Sequence, residues 1–282
     1  MAATAQRTHK FRFKNKLVSL DSTVIDLCLS MYDWAKYRRT KGAVKLHLVL
    51  DHDGYLPCFG LVTDGKVADV KAARHIVFRP GTIVVDDRGY NDYRLFADWT
   101  EAGIYFVTRM KDNARFEVIE DHAVPQHRHI VKDQTIRLTG PGAHRKCPHV
   151  LRRVEVIRED TGTTLVFLTN HYGLGASTIA AIYKDRWQIE LFFKALKQNL
   201  KIKTFVGTSA NAVKIQIWTA LIAMLLVRYL QRSSRFGWSL ANLVALLRMN
   251  LFTHRDLMAW LDQPFTTPPH QQDHPQTMLV FA

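Results

Sequence analysis

Tyr183-Lys-Asp-Arg186-Trp-Gln-Ile-Glu190-Leu-Phe-Phe-Lys194-Ala-Leu-Lys197 is the stretch on which the reading of the fold turns. Helical periodicity from Ser177 to Leu200 gathers Ile182, Ile189, Phe193, Leu196 and Leu200 into one apolar face. At about 100° per residue, Tyr183, Arg186, Glu190 and Lys197 fall within a stripe about 60° wide beside that face. One edge of a single helix therefore presents a carboxylate, two cations and a phenol. On spacing alone, a salt-bridged solvent face accounts for such a stripe slightly better than a site does.

Working outward, Leu17 to Asp26, Lys45 to Asp51 and Tyr55 to Thr63 read as a three-strand meander turned at Asp51-His-Asp-Gly54. Asp51 and Asp53 flank the turn glycine and are expected to form it. Ala68 to Ile76 reads as a helix. Thr82-Ile-Val-Val-Asp86 is a short apolar run ending in acids, the pattern of a buried strand whose C-terminal end faces a site. Asn91 or Asp92 caps a helix that runs to Glu101 and stops at Gly103, and Ile104 to Thr108 is a fifth strand. From 111 to about 170 the β-like runs Ile136 to Leu138, Val150 to Ile157 and Thr164 to Leu168 are separated by Pro, Gly and His. Helices resume at Ser177 and continue to about Leu261. The expected organisation is a basic arm over 1–16, a core over 17–110, a β-rich insertion over 111–172, core completion and C-terminal helices over 173–262, and a disordered tail over 263–282.

Tyr183, Arg186, Glu190 and Lys197 spell Y-x2-R-x3-E-x6-K, which resembles the signature of DDE transposases of the insertion-sequence-4 type. Leu20-Asp21-Ser22-Thr23 resembles that family's first-strand aspartate motif, and Val84-Val-Asp-Asp87-Arg88-Gly89-Tyr90 its fourth-strand motif. The resemblance covers roughly residues 10 to 230. It implies an α/β fold with a ribonuclease-H-like mixed five-stranded sheet flanked by helices, and a β-rich insertion before the last catalytic helix. It implies DNA strand cleavage and strand transfer at transposon ends, with Asp21, Asp87 and Glu190 as catalytic residues and metal ligands. Two Mg²⁺ ions about 4 Å apart, or Mn²⁺ in their place, suit the in-line displacement of a phosphodiester and prefer carboxylate oxygens. By the same resemblance Tyr183, Arg186 and Lys197 contact DNA phosphates, a role for which Arg and Lys are suited. Lys194, Arg88 and Trp187 are further DNA-binding candidates; Trp187 neighbours Arg186 and could stack on an unpaired base. Periodicity leaves Asp86 and Asp87 open, and the Asp-Arg-Gly-Tyr match favours Asp87. Family members generally act as dimers on paired double-stranded DNA ends, with target DNA as second substrate. Most carry a separate region before the first aspartate; only twenty residues precede Asp21 here, so end recognition is the activity expected to be weakest.

Composition agrees with a polyanionic partner. Lys and Arg number 39 against 25 Asp and Glu, a formal charge of +14, and 47% of the 282 residues are hydrophobic, enough for a core. Cys28, Cys58 and Cys147 are odd in number and fit reduced thiols, and the first ten residues show no secretory core, so a cytoplasmic, nucleoid-associated protein is expected. Ile215 to Val227 is expected to be a buried helix rather than a membrane span. His144-x2-Cys147-x-His149 lacks the spacing of a structural zinc site. Two rivals remain: an inactive DNA-binding remnant, and a nuclease of the same fold without strand transfer.

Overall fold

In the computed structural model, residues 10–38, 41–124, 129–199 and 205–266 are described, with the side chains of 36–38 and 41 excepted. Period-2 apolar alternation and β-branched residues form β1 (Leu17–Leu27), β2 (Lys36–Arg38), β3 (Lys41–Asp51) and β4 (Leu56–Asp64). β3 pairs antiparallel with β1 and β4, completing the meander. The turn between β3 and β4 is closed by the Asp51 carboxylate, which accepts from the Asp53 N–H at 3.0 Å, and by Gly54 at φ 101°. The short helix α1 (Asp69–Ala73) leads to β5 (Ile83–Val85), parallel to β1. Asp92 caps α2 (Tyr93–Glu101) by accepting from the Leu95 N–H, and Gly103 ends the turn at φ 68°, a conformation that suits glycine. β6 (Tyr105–Arg109) then lies parallel to β5.

The order β4-β3-β1-β5-β6, an antiparallel meander followed by two strands parallel to the first, is the ribonuclease-H-like arrangement. Beyond it come β7 (Phe116–Asp121), β8 (Ile130–Leu138), the one-turn α3 (Ala143–Lys146), β9 (Val150–Ile157) and β10 (Thr164–Thr169). β10 pairs antiparallel with β6, so all ten described strands share one sheet, ending β6-β10-β9-β8-β7.

Several local expectations need correction. The β7 strand was not anticipated, because it is an edge strand with almost every residue exposed and so lacks an apolar stripe. β8 begins six residues earlier than Ile136, because its middle carries buried polar residues: Asp133 takes two hydrogen bonds from Arg152, at 2.8 and 2.6 Å, and Gln134 one from Arg153 at 2.9 Å. The helix expected over 177–200 is two helices, α4 (Ala176–Asp185) and α5 (Trp187–Asn199), divided at Arg186.

The chain divides into two compact units, Met1–Leu221 and Ile222–Ala282. α6 (Ala210–Ser233) begins in the first and continues into the second. It is not the buried helix expected over Ile215 to Val227: Val213, Ile217 and Met224 are buried, but Ile215, Trp218, Ile222 and Leu226 are exposed. It is long and apolar enough to cross a membrane, by length and composition only. The second unit gathers Trp238, Leu243, Trp260 and Leu261 into its own small core, from the start of α7 (Leu240–Met249) and α8 (Leu257–Asp262).

Candidate active site

The two faces of the sheet have different fillings. On one, Val18, Leu20, Val84 and Phe106 pack with Leu95, Phe96 and Trp99 of α2, and the Phe96 and Phe106 rings stack at 4.5 Å. On the other, Leu17, Ile83, Val85 and Val107 pack beneath Ile179 and Ile182 of α4. Side chains alternate between faces along a strand. That parity assigns Ser19 and Asp21 of β1 to the α4 face, and carried past β5 it assigns Asp87 to the same face and Asp86 to the opposite one.

Solvation agrees with this assignment. Asp86 is wholly buried; burial pushes its carboxyl well above the usual range, with the charges of Asp87 and Asp21 adding to the effect. It is a core group rather than a solvated one. Asp87 is half-buried, and its carboxylate accepts from the Gly89 N–H at 2.8 Å. Burial also pushes Asp21 up, to about 7, with Asp87 and Glu190 adding and the Arg186 guanidinium and Ser22 N–H opposing.

At the break between α4 and α5 the Arg186 N–H is shared between the carbonyls of Ile182 and Tyr183, both at 3.2 Å. Its guanidinium donates to Asp21 Oδ2 at 3.0 Å and to Glu190 Oε1 at 2.6 Å, with its carbon 5.5 Å from the centre of the Tyr183 ring. One side chain thus joins the first strand's acid to the late helix's acid, which lie far apart along the chain. Lys197 donates to the Val24 carbonyl at 2.9 Å, fixing α5 along β1. Beside these acids lies a cavity of about 480 Å³ lined by Asp21, Ser22, Thr23, Glu190, Lys194 and Lys197. A groove of about 740 Å³ includes Arg158, just past β9, and Phe167 of β10 with Tyr183, Lys184, Arg186 and Trp187. Trp187 is 56% exposed; Arg88 is exposed and faces Asp112 at 3.4 Å.

Residues matching the Transposase DDE domain family extend from 12 to 226. The chain belongs to the DDE transposases. Among relatives, a Sinorhizobium fredii protein named as transposase y4zB is 36% identical over 90% of this chain and 71% of its own length. A Geobacillus stearothermophilus protein named as the transposase of insertion sequence element IS5377 is 30% identical over 80% of this chain, which spans only 59% of it. The Escherichia coli transposase InsG of insertion sequence element IS4 is 25% identical over 58% of this chain and 38% of its own length. These relatives place it in the insertion-sequence-4 type. A piggyBac transposase, solved in a synaptic complex with hairpin DNA, has 10% identity and a TM-score of 0.43 over 91% of this chain and 55% of its own.

DDE transposases act on DNA, cleave and transfer its strands, and generally use divalent metals. Among the described residues no three acidic, His or Cys side chains converge as a ready metal cage. Arg186 stands between Asp21 and Glu190, and Asp87 is engaged by the Gly89 N–H. The donor set still fits a hard cation, since all three candidates are carboxylates. Burial is the main cause of the Asp21 rise, and the smaller part that comes from Asp87 and Glu190 is what a cation would relieve.

Sequence reasoning missed two networks flanking Asp21. On one side Ser22 donates to Asp69 of α1 at 2.7 Å, and Asp69 takes a second bond from Lys45 at 3.1 Å. His47, pushed down to about 4 by burial, lies 3.5 Å from the same oxygen. On the other side Ser19, His52 and Asp185 form a buried chain of hydrogen bonds. No local pattern could have marked either, because every link joins residues distant in sequence. Trp34, Trp99 and Trp218 serve packing: Trp99 is buried, Trp34 donates to the Thr208 carbonyl at 2.8 Å, and the half-exposed Trp218 lies against Gly60, whose absent side chain makes room for the ring. The three cysteines are free. His144 is exposed and His149 reaches Glu101 at 3.3 Å, while His127 and the Arg39-Thr40 pair lie outside the described residues.

Proposed function

We propose that Asp21, Asp87 and Glu190 are the catalytic carboxylates of a DNA strand-cleaving and strand-transferring centre acting at transposon ends. The observation that carries this reading is the shared face of Asp21 and Asp87 on strands that run parallel, with Glu190 bound to Asp21 through Arg186. The three carboxylates would hold two Mg²⁺ ions, or Mn²⁺ in their place. When bound, these supply the Lewis acidity that activates the attacking oxygen and stabilises the leaving one. The chain's own residues bind and orient the phosphodiester. Arg186, already poised between two acids, exchanges a carboxylate for a phosphate oxygen, and Tyr183 backs its guanidinium. Lys194 and Lys197 line the cavity beside Asp21 and offer charge to the backbone of the DNA. Trp187, exposed beside Arg186, offers a stacking face to an unpaired base, and Arg88 a cation on the side of Asp87. The substrates are double-stranded transposon ends and target DNA, held by a homodimer in the cytoplasm at the nucleoid.

The test uses labelled end-bearing DNA with and without a target duplex. Asp21→Ala is expected to keep DNA affinity and lose both nicking and joining. Nicked but never joined product from the unaltered chain would make it a nuclease, and binding with no cutting in Mg²⁺ or Mn²⁺ would make it a remnant.

A further inference from the structure

We propose that Asp185 is a positioning residue that fixes the register of the α4–α5 break against β1, so that Arg186 and Glu190 meet Asp21. The proposal rests on the reading of Asp21 and Glu190 as metal-holding acids. Asp185 is the last residue of α4, and its side chain is 2% exposed. His52 Nδ1 donates to its Oδ2 at 2.8 Å, the Tyr55 hydroxyl donates to the same oxygen at 3.0 Å, and Lys10 Nζ lies 2.7 Å from Oδ1. His52 Nε2 in turn sits 2.7 Å from Ser19 Oγ, and both residues are fully buried. Burial alone would raise the Asp185 carboxyl, but the bonds from His52 and Lys10 outweigh it and hold the group at about 2. It is therefore a carboxylate that only accepts, and the Nδ1 proton is on His52.

The geometry makes this more than a buried ion cluster. Asp185 reaches Ser19 through His52, and the next residue, Arg186, reaches Asp21 directly. Ser19 and Asp21 are alternate residues on one face of one strand, about 6.6 Å apart. Two consecutive helix residues tied to two such points fix both the slide and the rotation of the helix break along β1. Glu190 follows one helical turn after Arg186. Of the two ties, Arg186's is made only to acids that the reaction itself uses, so it cannot be a permanent anchor. Asp185 touches neither acid and can hold while Arg186 changes partner.

Partners bonded directly to metal ligands commonly change metal affinity or activity by 10- to 100-fold when removed, and Asp185, one step further out, is expected at the lower end. Manganese binding to the DNA-free chain, followed by electron paramagnetic resonance, reads this without relying on turnover. Asp185→Ala is expected to weaken Mn²⁺ binding about tenfold and to lower kcat for end cleavage with KM for DNA unchanged. Asp185→Asn, which keeps an oxygen acceptor for His52, should recover most of both. Asp133→Asn is the control for mere structure: it cuts into an equally buried ion pair in β8 and should lower Tm while leaving Mn²⁺ affinity per folded molecule unchanged. Should Asp185→Ala fail to fold, His52→Gln, which can reach Ser19 but not Asp185, is read in its place. Mn²⁺ affinity and kcat within twofold of the parent overturn the proposal alone. A parent that binds no Mn²⁺ overturns the metal reading and the proposal with it.

Discussion

The α2 face of the sheet and its α4–α5 face start from the same strands and are built for different ends. The first is filled by Leu20, Val84, Phe96, Trp99 and Phe106, and burial there pushes the Asp86 carboxyl well above its usual range. The second begins in the same way with Leu17, Ile83 and Val85 but changes within two residues to Ser19, Asp21, His52, Asp185 and Arg186. Carboxylates gathered there gain nothing from one another: burial and, to a lesser degree, their mutual repulsion raise Asp21, and Arg186 opposes the rise. The difference teaches that one face of this sheet is largely given over to apolar packing, while the other packs at its base and opens into a cluster of charged and polar groups around Asp21.

Substitutions on the two faces should therefore part company. Glu190→Gln should reduce metal-dependent cleavage by about a thousandfold or more, the scale set by several kcal/mol of lost metal stabilisation, while Tm changes little or rises. Phe96→Ala should do the reverse, costing about 3–5 kcal/mol in denaturant unfolding while the folded fraction keeps its activity. If Phe96→Ala spared stability, the division of labour between faces would be wrong. Trp187→Ala, at an exposed position, should leave Tm unchanged and weaken binding to end DNA by about 1–3 kcal/mol; unchanged binding and cleavage would remove Trp187 from the site.

The smallest effect is a pH trend. Unfolded Asp21 ionises near pH 4, whereas the folded group keeps its proton to about 7. Folding thus takes up a proton between those values, and this group's contribution to stability falls as pH rises through that window. Cation binding needs the ionised carboxylate, so the Tm gain from added Mn²⁺ should grow from pH 6 to pH 8. A gain that is flat across that range would contradict the lifted Asp21.

Much of this was legible in the chain itself. The meander, the two later strands and a helix cap at Asn91 or Asp92 follow from alternation, apolar runs and turn chemistry, and the Y-x2-R-x3-E-x6-K spacing led to the family and its mixed sheet. What stayed hidden depends on pairing between distant segments. The choice between Asp86 and Asp87 rests on β5 alternating in step with β1, and a sequence shows alternation within a strand but not which of its faces meets which helix. The Asp185–His52–Ser19 chain spans 133 and 33 positions, and His52 read as part of a turn. β7 and the first half of β8 gave no strand signal, because one is exposed along its length and the other buries polar residues against arginines. The break at Arg186 was masked by unbroken helical periodicity on either side of it.

Cleavage of labelled end DNA in Mg²⁺, Mn²⁺ and EDTA, run side by side for the unaltered chain, Asp86→Asn and Asp87→Asn, tests the central claim most directly. The account predicts metal-dependent cutting that Asp87→Asn abolishes and Asp86→Asn retains. Cutting that survives Asp87→Asn, or that proceeds in EDTA, would contradict it.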